Sequence, residues 1–362
     1  MPSRLRFQLT ENICTKKILY KNKRREADST PRSFILKGVS AMKHVFVINP
    51  AAGKENYYET VQTALMRAKG VDYMLYETTG RGDATSFIRT YCTEHPDEQV
   101  RFYACGGDGT LNEVVNGVVG FENASVGCYP CGSGNDFVKY YGGKRYFFDL
   151  DALLNAEEEY IDLIRVGDRY AINATHFGFD SCVAETMMNV RRKKLIGGKN
   201  AYTTGVVVGL LKAMKNKCSV TADGELLNPE GKILLCTIAN GQFVGGSFRC
   251  APRSLDNDGL LEVCLVKPVS HITFMRVISY YTNGTHLDNP RFEKYITYRR
   301  AKKIEIEAPE GFIYSLDGEL IGENKFTVEV VPHAIRFAVP KGAIPLPGVL
   351  HIPAYEKEPV EA

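Results

Sequence analysis

The 362-residue chain contains no run of the roughly 18 apolar residues that a membrane-spanning helix requires. Its longest candidate, Gly205-Val206-Val207-Val208-Gly209-Leu210-Leu211, stops at Lys212. The N-terminus lacks the continuous apolar segment of a secretory signal. A disulfide framework is missing too. The ten cysteines are scattered, and Cys105, Cys236 and Cys264 lie inside apolar runs, where a thiol behaves as a small hydrophobe. This usage fits a reducing cytoplasm. Cys128 and Cys131 form a lone Cys-x-x-Cys with no second pair and no suitably spaced histidine, which argues against zinc or redox chemistry. His176, His271 and His286 show no ligand spacing and read as structural. No Gly-x-x-x-x-Gly-Lys-Ser/Thr phosphate loop occurs, and no Gly-x-Gly-x-x-Gly follows the first expected strand.

Strong charge is absent from the body of the chain. Residues 1–41 carry ten Lys/Arg against Glu11, Glu26 and Asp28, a net of +7; with +3 overall, the rest stands at −4. A nucleic-acid partner is therefore not expected. Residues 1–41 read as a disordered basic extension or an upstream start-codon misassignment, with a basic arm for anionic partners as the alternative. Apolar residues at 44% and charged residues at 24% are ordinary for a globular enzyme with a large core.

From Val45 onward the pattern is regular. Val45–Ile48, Tyr73–Tyr76 and Val100–Ala104 read as short buried strands. Between and after them come helical stretches marked by Val61, Ala64, Leu65 and Ala68, by Ala84, Phe87, Ile88 and Tyr91, and by Leu111, Val114, Val115 and Val118. Alternating strands and helices predict a doubly wound parallel sheet over residues 42–140, with ligands beyond the carboxyl ends of its strands. Residues 141–340 change character. Ile161–Val166, Arg169–Thr175, Lys232–Ala239, Leu260–Val266, Lys303–Glu307, Lys325–Val331 and Ile335–Val339 read as strands, with helices near 183–195, 202–215 and 272–282. The expectation is an α/β fold: a parallel-sheet domain, then a β-sandwich-like domain, a cleft between them, and a tail over 341–362.

Three polar, glycine-bearing turns follow strands. Cys105-Gly106-Gly107-Asp108-Gly109-Thr110-Leu111-Asn112-Glu113 joins a strand to a helix, so backbone N–H groups can close on an anion without Cβ obstruction. Asp108 would repel a bare phosphate and suits hydrated Mg²⁺ better; Thr110 can cap the helix or bond a phosphate oxygen. Asn49-Pro50-Ala51-Ala52-Gly53-Lys54 follows the first strand, and Gly132-Ser133-Gly134-Asn135-Asp136-Phe137 follows the fourth. Read plainly, each is a turn with an ordinary cap; their convergence on one sheet edge is what favours a phosphate site.

These segments, with Leu255-Asp256-Asn257-Asp258-Gly259-Leu260-Leu261 and Leu316-Asp317-Gly318-Glu319, resemble in order the diacylglycerol-kinase catalytic-domain family over roughly residues 43–340, its bacterial lipid kinases in particular. The resemblance implies an NAD kinase/diacylglycerol kinase-like fold and an ATP site made by Asn49, Pro50, Ala51, Ala52, Gly53, Gly107 to Glu113 and Ser133, with Thr78 or Thr79 as a further contact. Ser133 stands where threonine is expected and keeps the hydroxyl. It implies that Asp108 and Asp136 hold a water-mediated Mg²⁺ network, that Asp317 is the general base toward a lipid hydroxyl, and that Glu319 supports it. Leu255, Asp258 and Leu260 would form a structural metal loop; an Asn-Asp-Gly turn before a strand explains the same residues. Arg191–Lys194 reads as a solvated face or an anionic-membrane contact. The expected protein is a cytoplasmic lipid kinase with loose peripheral membrane association. A soluble-metabolite kinase of the NAD kinase kind and a non-catalytic nucleotide-binding or membrane-sensing protein are the rivals. The lipid and any homodimer stay open.

Overall fold

The computed structural model describes residues 42–346 apart from 54–56, 69, 180, 183–185 and 187–213. The basic extension, Lys54, Arg191–Lys194, most of the helices expected near 183–195 and 202–215, and the tail from 347 lie outside the described residues.

The first lobe is built on β1 (Lys43–Ile48), β2 (Tyr73–Glu77), β3 (Val100–Gly106) and β4 (Ala124–Pro130). They lie parallel in the order β4-β3-β1-β2. All of β3 and β4 and nearly all of β1 are buried, as continuous apolar runs covered on both faces should be. The helices α1 (Tyr57–Arg67), α2 (Asp83–Glu94) and α3 (Asp108–Val118) alternate with the strands. α3 buries Leu111, Val114, Val115 and Val118; α2 buries Ala84, Ile88, Tyr91 and Cys92. The two helices approach closely at Gly117, where a Cβ would lie 2.8 Å from Ile88 Cβ. Because the chain winds outward in both directions from β1, the crevice between β1 and β3 is the switch point at which ligands bind such sheets.

A short α4 (Leu150–Leu154), whose N-cap Asp149 accepts from Ala152 N at 3.1 Å, leads into β5 (Glu157–Val166). There follow β6 (Arg169–Ala171), β7 (Ala174–Gly178), β8 (Asn216–Lys217), β9 (Ser219–Ala222), β10 (Glu225–Leu226), β11 (Lys232–Ile233), β12 (Leu235–Ala239) and β13 (Leu261–Val266). Helix α5 (His271–Asn283) occupies the third expected helical position. After it come β14 (Ile296–Ala301), β15 (Lys303–Glu307), β16 (Ile313–Leu316), β17 (Glu319–Gly322) and β18 (Lys325–Val339). An antiparallel sheet in the order β14-β13-β12-β7-β16-β17 faces β10, β9, β15, β18 and β5 across a core that includes Phe177, Ile238, Val263, Ile304, Tyr314 and Val328. This is a β-sandwich-like lobe.

Four local readings change; the expected strand Lys232–Ala239 splits at Leu234 into β11 and β12, which belong to different sheets. Lys325–Val331 and Ile335–Val339 form one strand, bent by a bulge at which Pro332 supplies no N–H and His333 takes φ 50°. That strand also pairs in parallel with β4 at Phe337 and Val126, continuing the first lobe's sheet into the second. The expected single strand Arg169–Thr175 is broken at Ile172 and Asn173, whose amides turn toward a carboxylate. β16 and β17 form a hairpin turning at Asp317 and Gly318, between strands that the alternation of residues did not mark.

Candidate active site

The carboxyl ends of β1, β2, β3 and β4 share one edge, and four loops leave it. Asn49 organises the first. Its Oδ1 accepts from Ala51 N at 3.0 Å, which curls the Asn-Pro-Ala-Ala-Gly turn, and its Nδ2 donates to Thr110 Oγ1 at 3.0 Å, which ties the turn to α3. Thr110 packs on Gly106, where a Cβ would sit 2.2 Å from Oγ1. The loops after β3 and β4 touch backbone to backbone: a Cβ on Gly132 would lie 2.4 Å from Gly107 Cα. Glycine at 132 is a packing requirement, whereas a Cβ at 107 would sit 3.3 Å from Gly132 Cα, a tight fit. Gly107 caps α3 without a side-chain hydrogen bond. The N–H groups of the first helical turn have no acceptor within the helix, so this end of α3 suits an anion.

Asp108 faces the loop after β4. Its Oδ2 accepts from Asn135 N at 2.8 Å and its Oδ1 from Asp136 N at 2.6 Å. Burial raises its pKa, and the charge of Asp136 adds to the shift against the two amides and Lys139. Asp136 is ion-paired with Lys139 and accepts from Gly246 N, so it joins the glycine-bearing loops to the second lobe.

The loop after β2 is held from two sides. Thr79 donates both its N–H and its hydroxyl to Asp83 Oδ2, at 2.6 and 2.7 Å. Glu113 accepts from Gly82 N at 2.9 Å and Ala84 N at 3.3 Å, supplying the start of α2 with the cap that Gly82 lacks. Between these anchors Arg81 reaches across the cleft to Glu319 on β17, at 2.8 Å.

Asp317 stands at the turn between β16 and β17 with φ 46°. Its Oδ2 accepts from Ile172 N at 2.8 Å and Asn112 Nδ2 at 3.0 Å; its Oδ1 accepts from Asn173 N at 3.1 Å and Ala174 N at 2.9 Å. Desolvation by burial outweighs these four donors and pushes its pKa up to about 6. The carboxylate is thus fixed in place and still easier to protonate than an ordinary aspartate.

One cavity of about 1020 Å³ is lined by Asn49, Pro50, Ala51, Ala52, Gly53, Thr79, Gly107, Asp108, Gly109, Thr110, Glu113, Ser133, Asp317 and Glu319. Leu111 and Asn112 do not line it: Leu111 is in the core, and Asn112 acts through Asp317 and Tyr170 O. Asp136 lies behind Asp108. The Leu255–Leu260 loop is elsewhere; there Asp258 is ion-paired with Arg300 and accepts from Leu260 N at 3.1 Å, while Leu255 is exposed. Burial raises the pKa of Asp258, with Arg300 opposing and Asp162 adding. Arg81 is a cleft residue that motif reading passed over, although its flanking glycines after a strand marked the same kind of loop as the other three.

Matches to known proteins agree with this arrangement. The family profile of the diacylglycerol kinase catalytic domain matches residues 43–166, and that of the YegS C-terminal NAD kinase beta sandwich-like domain matches residues 173–339. The chain is 30% identical over 288 residues to the diacylglycerol kinase of Bacillus subtilis strain 168, covering 78% of this chain and 91% of that one. It is 32% identical over 267 residues to a "Probable lipid kinase YegS-like" protein of Shewanella frigidimarina, covering 71% and 82%. A crystal structure of a diacylglycerol kinase from Bacillus anthracis strain Sterne superposes with TM-score 0.61 at 20% identity, covering 83% of this chain and 98% of that one, a likeness of fold. These matches define a lipid kinase by class. The chain belongs to the diacylglycerol kinase catalytic-domain family. Among the described residues no helix is long and apolar enough to cross a membrane.

Proposed function

We propose that the protein is an ATP- and Mg²⁺-dependent kinase that phosphorylates the hydroxyl of a membrane-derived lipid such as diacylglycerol, in phospholipid metabolism. The observation that carries this is the position of Asp317. A half-buried carboxylate of the sandwich lobe, fixed by four donors, lines the same cavity as the glycine-bearing loops of the α/β lobe.

In this reading the Asn49–Gly53 turn, the first turn of α3 and Ser133 bind the triphosphate of ATP, and Thr79 borders the nucleotide. Phosphoryl transfer asks the protein mainly for positioning and charge stabilisation. Asp317 accepts the proton of the lipid hydroxyl while that oxygen bonds to the γ-phosphorus and the bond to ADP breaks. Glu319 holds Arg81 at the mouth of the cleft, and Asn112 orients Asp317.

The donor chemistry fits Mg²⁺ beside the phosphates. Asp108 and Asp136 are neighbouring carboxylates with a single lysine partner, and both oxygens of Asp108 keep a free lone pair beyond their amide bonds. Among the described residues no three carboxylate, imidazole or thiol groups converge as a cage, which suits an ion that keeps waters and phosphate oxygens as ligands. When bound, Mg²⁺ would neutralise charge on the transferring phosphoryl group. At Leu255, Asp258 and Leu260 a cation would compete with Arg300 for the carboxylate. A peripheral contact with the membrane would deliver the apolar substrate.

The test is incubation of the full chain with radiolabelled ATP, Mg²⁺, NAD and vesicles carrying a panel of lipid alcohols. Label in a lipid product is expected. Label in NAD instead, or in no acceptor, overturns the reading.

A further inference from the structure

The cavity that would take the nucleotide is short of positive charge. Its lining carries four carboxylates, those of Asp108, Glu113, Asp317 and Glu319, and among the described residues Arg81 is the single cation that lines it. A triphosphate brings further negative charge into a space whose walls already repel it.

Arg81 is placed to answer that charge, but another group engages it. Its Nη2 lies 2.8 Å from Glu319 Oε1, and the two side chains are 76% and 36% exposed. An ion pair this exposed contributes a factor of no more than about five to an equilibrium. The loop does not need the pair to keep its shape. Thr79 donates twice to Asp83 on one side of Arg81, and Glu113 accepts from Gly82 N and Ala84 N on the other. These anchors fix the backbone. A Cβ at Gly80 or Gly82 would meet nothing within 4 Å, so the tip of the loop stands in open space and the Arg81 side chain has room to swing. The same anchors place it beside α3. Glu113 stands five residues beyond Asp108, about 7.5 Å along the axis from the turn that suits an anion.

We propose that Arg81 is a nucleotide-binding residue that leaves Glu319 for the polyphosphate chain of ATP. Glu319 is its partner in the empty cleft and positions the guanidinium at the mouth. The inference rests on the kinase reading above and adds to it a cation that no other described site residue supplies. A guanidinium suits the exchange: its planar fork bonds two phosphate oxygens at once, and such charge-assisted bonds are stronger than neutral ones.

The experiment is calorimetric titration of the full chain with ATP and Mg²⁺, without lipid, for the wild type, Arg81→Ala, Arg81→Lys, Glu319→Gln and the double variant Arg81→Ala/Glu319→Gln. Arg81→Ala should weaken ATP about ten- to hundredfold, the size of one hydrogen bond to a charged group. Arg81→Lys keeps the charge without the fork and should fall between that variant and the wild type. The loss in Arg81→Ala should shrink as KCl is raised to about 0.5 M, because salt screens exposed charges. Glu319→Gln should change affinity in the opposite direction, tightening ATP by up to about fivefold. That gain should vanish in the double variant, since Glu319 acts through Arg81. Tm should stay within about two degrees of wild type in both single variants at Arg81 and in Glu319→Gln, as expected for an exposed pair. Unchanged ATP affinity in Arg81→Ala overturns the inference and leaves the kinase reading intact. A loss that salt does not alter, or one accompanied by a fall in Tm of many degrees, overturns it too and assigns Arg81 to the shape of the loop. Weaker ATP binding in Glu319→Gln, or a gain that persists in the double variant, overturns the exchange between the two partners. A wild type that binds no ATP sinks both readings.

Discussion

Replacing Asp317 by asparagine tests the proposed base, and the structure sets the size of each effect. The carboxylate has its pKa pushed up to about 6 by burial. If it must be ionised to take the alcohol proton, kcat/KM should fall tenfold per unit below about pH 6; roughly nine-tenths is ionised at pH 7 and roughly one-tenth at pH 5. Asp317→Asn should lower turnover by about 10²–10⁴-fold and remove that acid limb. Stability has two opposing parts. A carboxyl whose folded pKa exceeds its unfolded value of 3.8 contributes stability that is full below pH 3.8 and lost as pH rises through about 6, a difference of about 3 kcal/mol. Asparagine removes this cost of a buried charge. It also brings an NH₂ group against two of the four donors, stranding them at about 1–3 kcal/mol each. The terms nearly offset, so Tm should move by only a few degrees. The assay is a pH series of lipid phosphorylation, with ATP affinity by calorimetry and Tm by scanning calorimetry. A variant that keeps full turnover and the same acid limb would refute the assignment. Loss of ATP binding with a collapse of Tm would make the residue structural.

Gly132→Ala should push the loops after β3 and β4 apart, because its Cβ would meet Gly107 Cα at 2.4 Å, whereas Gly109→Ala has nothing within 4 Å and should keep the wild-type Tm. Thermal melting of both variants, with ATP turnover of Gly132→Ala near zero, checks this; equal Tm values would contradict the close approach. Asp258→Ala leaves Arg300 without one of its two acidic partners, the other being Glu262, and should lower Tm by a few degrees with or without Mg²⁺. If Mg²⁺ stabilises the wild type and the variant loses that response, the loop binds metal in preference to Arg300.

The sequence alone determined the first lobe and its loops. Runs such as Val45–Ile48, the spacing of Leu111, Val114, Val115 and Val118, and glycines straight after strands are signals spanning about ten residues, and they specify strand, helix and turn without help from distant parts of the chain. Motif order named the family on the same local evidence. Only the tertiary structure decided what those residues do to one another. Asp317 obtains its raised pKa from burial, and its fixed orientation from the opposing donors of Ile172, Asn173 and Ala174, some 145 residues away, and of Asn112 in the other lobe. The same contacts break the strand expected over Arg169–Thr175. Arg81 and Glu319 gain meaning only across the cleft. Desolvation, ion pairing and unpaired polar atoms depend on what packs around a group, and that environment is assembled from segments whose separation along the chain leaves no periodic trace.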